Sequence, residues 1–179
     1  MNEDEAALLR RCQAGDKAAY GTIVKKYAGR AVGAAYLLLG NYEDAREASQ
    51  DAFVRAWRNM GSFDTTRPFY PWYSALLRNL CIDLLRRRKN VQNLESIPEP
   101  DSSDDNPVLA AERNELCRDV RRAVLELPVK HREVIVMNHF QDMTYEQMAE
   151  SLDIPIGTVM SRLYYARCAL REKLADKKQ

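Results

Sequence analysis

The sequence predicts an all-α protein made of two small helical domains joined by an acidic linker. Apolar residues recur at helical spacing over most of the chain, and no alternating run typical of a strand is bounded by turn residues. One stretch near the middle loses this periodicity altogether. The chain has 179 residues, 46% of them hydrophobic, which is enough to bury a core in each domain.

Three helical segments in the first half carry their own start or stop signals. Asp16 is the predicted N-cap of the first segment, and Gly40 is its predicted stop. Asn41 is the predicted N-cap of the second, which is expected to end at Gly61. Pro71 is expected near the start of the third, where its missing N–H costs nothing.

The central stretch, residues 90–107, is predicted to be a flexible linker. It contains three prolines and five acidic residues but no lysine or arginine, a composition that resists folding on its own. The predicted domains are therefore residues 1–89 and residues 108–179.

The second half predicts a helix-turn-helix. Thr144 followed by Gln147 is a capping box for a short helix, and a longer helix is expected from about Pro155. The longer helix has an apolar stripe for the core: Ile156, Val159, Leu163, Ala166, Leu170 and Leu174. A polar stripe lies opposite it: Thr158, Ser161, Arg162 and Tyr165.

Charge favours DNA as the partner of this second helix, although a plain structural helix pair stays open on the outline alone. Residues 156–179 hold six basic side chains and only two acidic ones. An exposed guanidinium beside hydroxyls and a phenol suits contact with phosphates and base edges.

Several functional classes are not expected. The four cysteines lack metal or disulfide spacing and are expected to be reduced and mostly buried, and His131 and His139 have no nearby cysteine pair, so no metal is expected. No catalytic constellation or phosphate-binding glycine loop is visible, which disfavours an enzyme or a bound cofactor. An acidic N-terminus and the absence of a long apolar run predict a cytoplasmic protein without membrane contact of its own.

Two stretches resemble the extracytoplasmic-function (ECF) sigma factors of bacterial RNA polymerase. The sequence "LPVKHREVIVMNHFQDMTYEQMAESLDIPIGTVMSRLYYARCALREKL" resembles their region 4, the helix-turn-helix. "NYEDAREASQDAFVRAW" and "FDTTRPFYPWYSALLRNLCIDLLRRRKN" resemble their region 2, a helical bundle. The resemblance implies a non-enzymatic subunit that binds core RNA polymerase and promoter DNA and is controlled by an anti-sigma factor. It also likens the linker to the family's connector through the RNA exit path, although a solvated tether stays open.

The resemblance also implies roles for individual residues. Gln50, Asp51 and Arg55 are expected to contact core polymerase. Recognition of the minus-10 element and capture of a flipped base are expected from Asp64, Thr65, Thr66, Arg67, Arg78 and Asn79. Arg86 and Arg87 belong to a basic run at residues 86–89 and are expected to contact DNA phosphates, although a solvated helix end stays open. Recognition of the minus-35 element falls on Thr158, Met160, Ser161, Arg162, Tyr164, Tyr165 and Arg167.

The chain departs from the family at two of the minus-35 positions, where relatives often carry basic residues. It has Met160 and Tyr165 there, which favour apolar contact with a thymine methyl or phenol contact with the backbone. Two rival interpretations remain: a sigma-like decoy that binds a regulator but not DNA, and an ordinary helix-turn-helix repressor. The decoy would be expected to lose the basic charge that this chain keeps, and the repressor leaves residues 41–89 unexplained.

Aromatic residues in the first half are expected to divide between core and surface. Phe63 and Trp72 are predicted to pack inward beneath the proposed base-capture loop, and Phe53 and Trp57 are predicted to belong to the core.

Overall fold

The computed structural model of the chain describes residues 3–92 and 115–176, and every regular element in these two ranges is helical, which confirms the all-α prediction. We call these ranges the first half and the second half. The predicted linker lies outside the described residues except for its first three, which form the end of a helix. The first half contains α1 (Glu3–Gln13), α2 (Lys17–Leu39), α3 (Tyr42–Arg58), a 3₁₀ turn (Met60–Ser62) and α4 (Phe69–Gln92).

The second half contains α5 (Glu115–Leu125), α6 (Val129–Ile135), α7 (Tyr145–Leu152) and α8 (Ile156–Asp176). A π-helical turn, Val136–Phe140, continues α6 without a break. Sequence periodicity does not reveal this turn, because its buried residues Val136 and Met137 fit an ordinary helix equally well.

Helix α2 begins and ends where the sequence predicts. The Asp16 carboxylate accepts hydrogen bonds from the N–H groups of Ala18 and Ala19, which have no partner within the helix. Gly40 has φ of 74° and donates its N–H to the Tyr36 carbonyl, the left-handed conformation that glycine adopts at little cost. Asn41 then caps α3 by accepting from the Asp44 N–H.

The predicted end of α3 at Gly61 is wrong, because the helix stops at Arg58. The side-chain amide of Asn59 donates to the Arg55 carbonyl and so satisfies one of the last unpaired backbone acceptors of the helix. The chain then tightens into the 3₁₀ turn. The side-chain amide of Gln13 on α1 stabilises this turn by donating to the carbonyls of Met60 and Phe63.

Helix α4 begins at Phe69, so Pro71 is its third residue. The N–H groups of the first four residues of a helix have no partner within it, so the proline removes no bond there.

The core of the first half is aromatic. The rings of Phe53 and Tyr73 stack with centroids 4.3 Å apart, and the Tyr73 hydroxyl donates to the Ser49 carbonyl. Phe63 is buried as predicted, whereas Trp72 is half-buried and packs on it with ring centroids 4.6 Å apart. Phe53 is buried and Trp57 is a half-buried residue packed against the core.

The apolar stripe of α8 packs as predicted over most of its length. Val159, Leu163 and Ala166 are at most 1% exposed, and Leu170 and Leu174 are half-buried. Ile156 is a correction, because it is 42% exposed. It is the first residue of α8 and lies ahead of the turn at which the helix meets its neighbours.

The two halves pack against each other, and their buried side chains form one continuous cluster. Helix α2 contacts α5, α6 and the π turn. The guanidinium of Arg132 on α6 donates to the carbonyl of Leu38 at the end of α2, at 2.7 Å, and to the carbonyls of Leu125 and Leu127. Three carbonyls near helix ends thereby gain a charged donor.

The cysteines are less uniformly buried than predicted. Cys12 and Cys81 are buried, Cys168 is half-buried and Cys117 is exposed, and all four are free thiols. Within residues 3–92 and 115–176, no helix is both long and apolar enough to cross a membrane.

The predicted capping box of α7 is present, and we expect its loss to destabilise the second half. Thr144 Oγ1 accepts from the Gln147 N–H at 3.3 Å, and the Gln147 side chain accepts from the Thr144 N–H at 2.9 Å. Thr144→Ala is therefore expected to cost about 1 kcal/mol of unfolding free energy. Urea unfolding followed by circular dichroism measures this, with Thr22→Ala in an exposed part of α2 as the control. A Thr144→Ala midpoint equal to that of the wild type would contradict the expectation.

Candidate polymerase and promoter interfaces

The side chains predicted to contact core polymerase lie together on the outer face of α3. Gln50, Asp51 and Arg55 are all exposed, and Val54 between them is 47% exposed. Ala48, on the same helix, is buried and belongs to the core. The face therefore combines two opposite charges, an amide and an apolar side chain, the mixture expected at a dissociable protein interface.

A shallow cleft of about 170 Å³ runs beside this face, between α3 and α4. Asp51 and Arg55 line it from α3, and Asp83 and Arg87 line it from α4. Arg87, predicted to contact DNA, thus borders the surface predicted to contact polymerase. The sequence does not point to Asp83, because an acidic residue on a basic helix gives no signal of its own.

The proposed base-capture loop is held in shape by its first residue. The Asp64 carboxylate accepts from both the N–H and the hydroxyl of Thr66, at 2.9 and 2.7 Å, and these bonds lower the pKa of Asp64. The Arg67 N–H donates to the Asp64 carbonyl. Asp64, Thr66 and Arg67 are exposed and Thr65 is half-buried, so the loop is a preformed turn with polar groups facing outward.

A cleft of about 410 Å³ lies under this loop and is closed on its far side by the second half. Its walls in the first half include Phe63, Arg67 and Trp72, and its opposite wall includes Gln147 and Glu150 of α7. Arg67 donates to both oxygens of Glu150, at 3.0 and 2.7 Å, and this bonding raises the pKa of Arg67. Glu150 is absent from the sequence prediction, since a glutamate on a surface helix normally faces water.

The Arg78 and Asn79 pair predicted beside single-stranded DNA forms a hydrogen bond of 2.9 Å, from Arg78 Nη1 to Asn79 Oδ1. Arg78 is only half-exposed, because it also contacts Glu133 of α6, with Nη2 2.8 Å from Oε1. Arg86 and Arg87 are exposed further along α4. Four of the predicted minus-10 side chains therefore lie along one helix.

The exposed face of α8 is not quite the stripe that the sequence predicts. Met160, Tyr164 and Tyr165 are 54%, 65% and 60% exposed, and Ser161 beside them donates to the Thr158 carbonyl. The two tyrosine rings meet edge to face, with centroids 5.5 Å apart. Aromatic and thioether groups therefore dominate the exposed surface of α8 over residues 160–165.

Three other predicted minus-35 residues are partly engaged within the second half. Thr158 and Arg162 are half-buried. Arg162 lies near His131, where burial lowers the pKa of the imidazole and the charges of Lys130 and Arg162 lower it further. Arg167 donates to the Asn138 side chain at 3.0 Å, which ties α8 to the π turn.

Both halves match known families. Residues 23–91 match Sigma-70 region 2, and residues 117–170 match Sigma-70, region 4. The chain is 32% identical over 178 residues to the ECF RNA polymerase sigma factor SigW of Bacillus subtilis, an alignment that covers 94% of this chain and 95% of SigW. The chain belongs to the ECF sigma factors. It is an RNA polymerase sigma factor and so a transcription regulator, and the two predicted regions occur in the predicted order.

Two solved structures share the fold of this ECF sigma factor. CnrH, solved in complex with the cytosolic domain of CnrY, has a TM-score of 0.72 and 26% identity, with 98% of this chain and 99% of that chain covered. RpoE of Bartonella quintana, solved with the anti-sigma factor NepR, has a TM-score of 0.75 over 87% of this chain and 96% of that chain. At 24% identity, the second likeness shows the fold alone.

Proposed function

We propose that this ECF sigma factor guides core RNA polymerase to two-element promoters through three separate surfaces. The observation that carries the proposal is the pairing of a preformed polar loop in region 2 with an exposed recognition helix in region 4. Neither feature contributes to the hydrophobic core, because Asp64, Thr66 and Arg67 are exposed and the recognition face is open to solvent. In this proposal the regions correspond to residues 1–89 and 108–179, with residues 90–107 as the connector.

Core polymerase binds the outer face of α3. Gln50, Asp51 and Arg55 supply polar contacts around the exposed Val54. Charged side chains at such an interface set its orientation and the rate of encounter.

The minus-10 element is read and opened by the loop at residues 64–67 and by α4. A base extruded from the duplex needs a pocket with hydrogen-bonding groups and an apolar wall. The Asp64 and Thr66 side chains supply the first, and Trp72 behind the loop supplies the second. Arg78, Asn79, Arg86 and Arg87 then follow the phosphates of the displaced strand.

The minus-35 element is read by α8 in the major groove. Met160, Tyr164 and Tyr165 present apolar and phenolic groups, and Ser161 adds a hydroxyl. Lacking arginine at these positions, the helix favours thymine methyl contacts over bidentate reading of guanine. Thr158, Arg162 and Arg167 lie on its flanks and contact phosphates in this proposal.

A single partner regulates the protein in this proposal, namely an anti-sigma factor. RpoE, which shares the fold, was solved bound to one. The proposal places the protein in the cytoplasm with RNA polymerase and gives it no catalytic activity, metal or cofactor of its own.

Footprinting tests the proposal and separates it from a decoy. Holoenzyme assembled from core polymerase and this protein is expected to protect two promoter elements from DNase I. A decoy would bind a regulator but give no footprint, and an ordinary helix-turn-helix repressor would give one without core polymerase. Either result would overturn the proposal.

Two α8 variants test the minus-35 contacts. Tyr165→Arg is expected to shift the preferred upstream sequence toward guanine, by about 1 to 3 kcal/mol for one bidentate contact. Arg162→Ala is expected to weaken all upstream sequences about equally and to lower the salt dependence of binding. Selection from a randomised upstream element compares both with the wild type. Identical preferences for the wild type and Tyr165→Arg would show that this face does not read bases.

A further inference from the structure

We call the loop at residues 64–67 together with Arg78, Asn79, Arg86 and Arg87 the minus-10 surface. Two of its arginines, Arg67 and Arg78, contact the second half directly. Arg67 of the proposed base-capture loop extends to α7 and donates to both carboxylate oxygens of Glu150. Both bonds come from Nη2, and carboxylates and phosphates alike accept such charge-assisted bonds from a guanidinium. Glu150 therefore takes the position on Arg67 that a DNA phosphate would take.

Arg78 is held in the same way, and more deeply. Its Nε donates to Glu133 Oε1 at 2.9 Å, and the Arg78 and Glu133 side chains are 19% and 6% exposed. A charge buried this far depends on its partner, because removing one member leaves the other without compensation. The contact therefore fixes the second half against α4 as well as neutralising Arg78.

Arg30 forms the third ionic contact between the halves. It lies over the Tyr70 ring, with Cζ 4.3 Å from the centroid, and donates to the Phe140 carbonyl at 3.0 Å and to the Asp142 carboxylate at 2.5 Å. In all three ionic contacts the first half supplies the arginine and the second half supplies the acid. A consistent polarity of this kind specifies how the two surfaces meet.

The other two functional surfaces stay open in this arrangement. Asp51 and Arg55 on α3 are exposed, and so are Tyr164 and Tyr165 on α8. The contact between the halves therefore covers part of the minus-10 surface and spares the polymerase and minus-35 faces.

We propose that region 4 masks the minus-10 surface of region 2 within the same chain, with Glu150 and Glu133 occupying the guanidinium groups of Arg67 and Arg78 until the halves separate. The masking role rests on the proposed function of these two arginines. The closed arrangement of the halves rests only on the observed ionic contacts. Strand capture is thereby withheld from the free protein, while docking on core polymerase remains accessible.

A triple variant that neutralises the acidic side of the interface tests closure. Glu133→Gln, Asp142→Asn and Glu150→Gln remove the three carboxylates and leave every arginine in place. Small-angle X-ray scattering of the free wild type is expected to give a radius of gyration near about 16 Å, the value for a compact chain of this length. The triple variant is expected to be larger by several ångströms, with unchanged helicity. A wild type that is already extended, or a triple variant as compact as the wild type, would overturn the proposal.

A matched control triple removes the same charge from the same half without touching the interface. Glu146→Gln, Asp153→Asn and Glu172→Gln change three exposed carboxylates, and asparagine tolerates the left-handed backbone of Asp153, which has φ of 51°. This triple is expected to scatter like the wild type. Expansion of the control triple would attribute the effect to charge alone and overturn the proposal.

Restoration by charge exchange tests the Arg67 contact itself. In an Asp142→Asn background, which leaves the buried pair of Arg78 and Glu133 intact, Arg67→Glu and Glu150→Arg are each expected to expand the free protein, because each puts two like charges together. Combining them restores an ion pair of reversed polarity and is expected to return the compact radius of gyration. Failure of the combined variant to become compact would show that this pair does not hold the halves together.

The affinity of the free protein for a single-stranded oligothymidine tests whether the contact between the halves blocks DNA binding. The interface triple is expected to bind it two- to five-fold more tightly than the control triple for each exposed arginine contact released. Both triples have the same net charge, so the difference isolates the uncovered surface. If the interface triple expands but binds DNA no better than the control triple, the ionic contacts do hold the halves together. That result would overturn both the masking and the DNA-binding role of Arg67 and Arg78.

Discussion

Replacing residues 64–67 with a glycine-rich loop is expected to abolish open-complex formation while leaving core binding intact. The loop is a preformed turn in which Asp64 holds Thr66, and extrusion of a base costs a few kcal/mol that the loop has to offset. Its loss is therefore expected to reduce open complexes by about 100-fold or more. Permanganate reactivity of thymines in the melted region measures this directly.

Two controls accompany the loop replacement. Circular dichroism is expected to show unchanged helicity, because the loop lies outside α3 and α4. Affinity for core polymerase is expected to stay within about two-fold of the wild type, since exposed changes away from an interface have small effects. Normal thymine reactivity in the variant complex would contradict the base-capture role of the loop.

Reversing the charge of Asp51 is expected to weaken binding to core polymerase without unfolding the protein. Asp51 is exposed on α3, so Asp51→Lys is expected to change stability by less than about 0.5 kcal/mol. In a docked interface, removal of one partner of a charge pair costs about 2 to 5 kcal/mol, which corresponds to a loss of affinity on the order of 30-fold or more.

A titration of labelled protein with core polymerase measures the Asp51→Lys effect. Glu172→Lys makes the same charge change at an exposed position on α8 and is the matched control. Equal affinities for Asp51→Lys, Glu172→Lys and the wild type would remove the outer face of α3 from the polymerase interface.

Local signals allowed the helix starts to be predicted from the sequence. Asp16, Asn41 and Thr144 cap their helices through side-chain bonds to N–H groups two or three residues ahead, so the information lies within a few residues. The end of α3 was predicted wrongly for the opposite reason. The turn that follows α3 is held by Gln13 of another helix, which donates to the Met60 carbonyl 47 residues further along the chain, and no local signal reports this contact.

The contact between the halves is the largest feature that the sequence does not predict. Glu133 and Glu150 lie on helices where a glutamate ordinarily faces solvent, and only the meeting of the halves makes them partners of Arg78 and Arg67. The exposed face of α8 was predictable to within a residue or two, because period and burial agree over Val159, Leu163 and Ala166. The half-burial of Thr158 and Arg162 was not, since it depends on how α8 meets its neighbours.

Run-off transcription with purified core polymerase on genomic DNA fragments tests the central claim most directly. Core polymerase supplied with this protein is expected to initiate at discrete sites that are silent with core alone, and the mapped starts are expected to share upstream elements at a constant spacing. The Asp51→Lys and loop-replacement variants are expected to lose these transcripts, whereas Glu172→Lys is expected to keep them. Transcripts that do not depend on the added protein, or an absence of discrete starts, would contradict the assignment of this chain as a sigma factor that guides RNA polymerase to promoters.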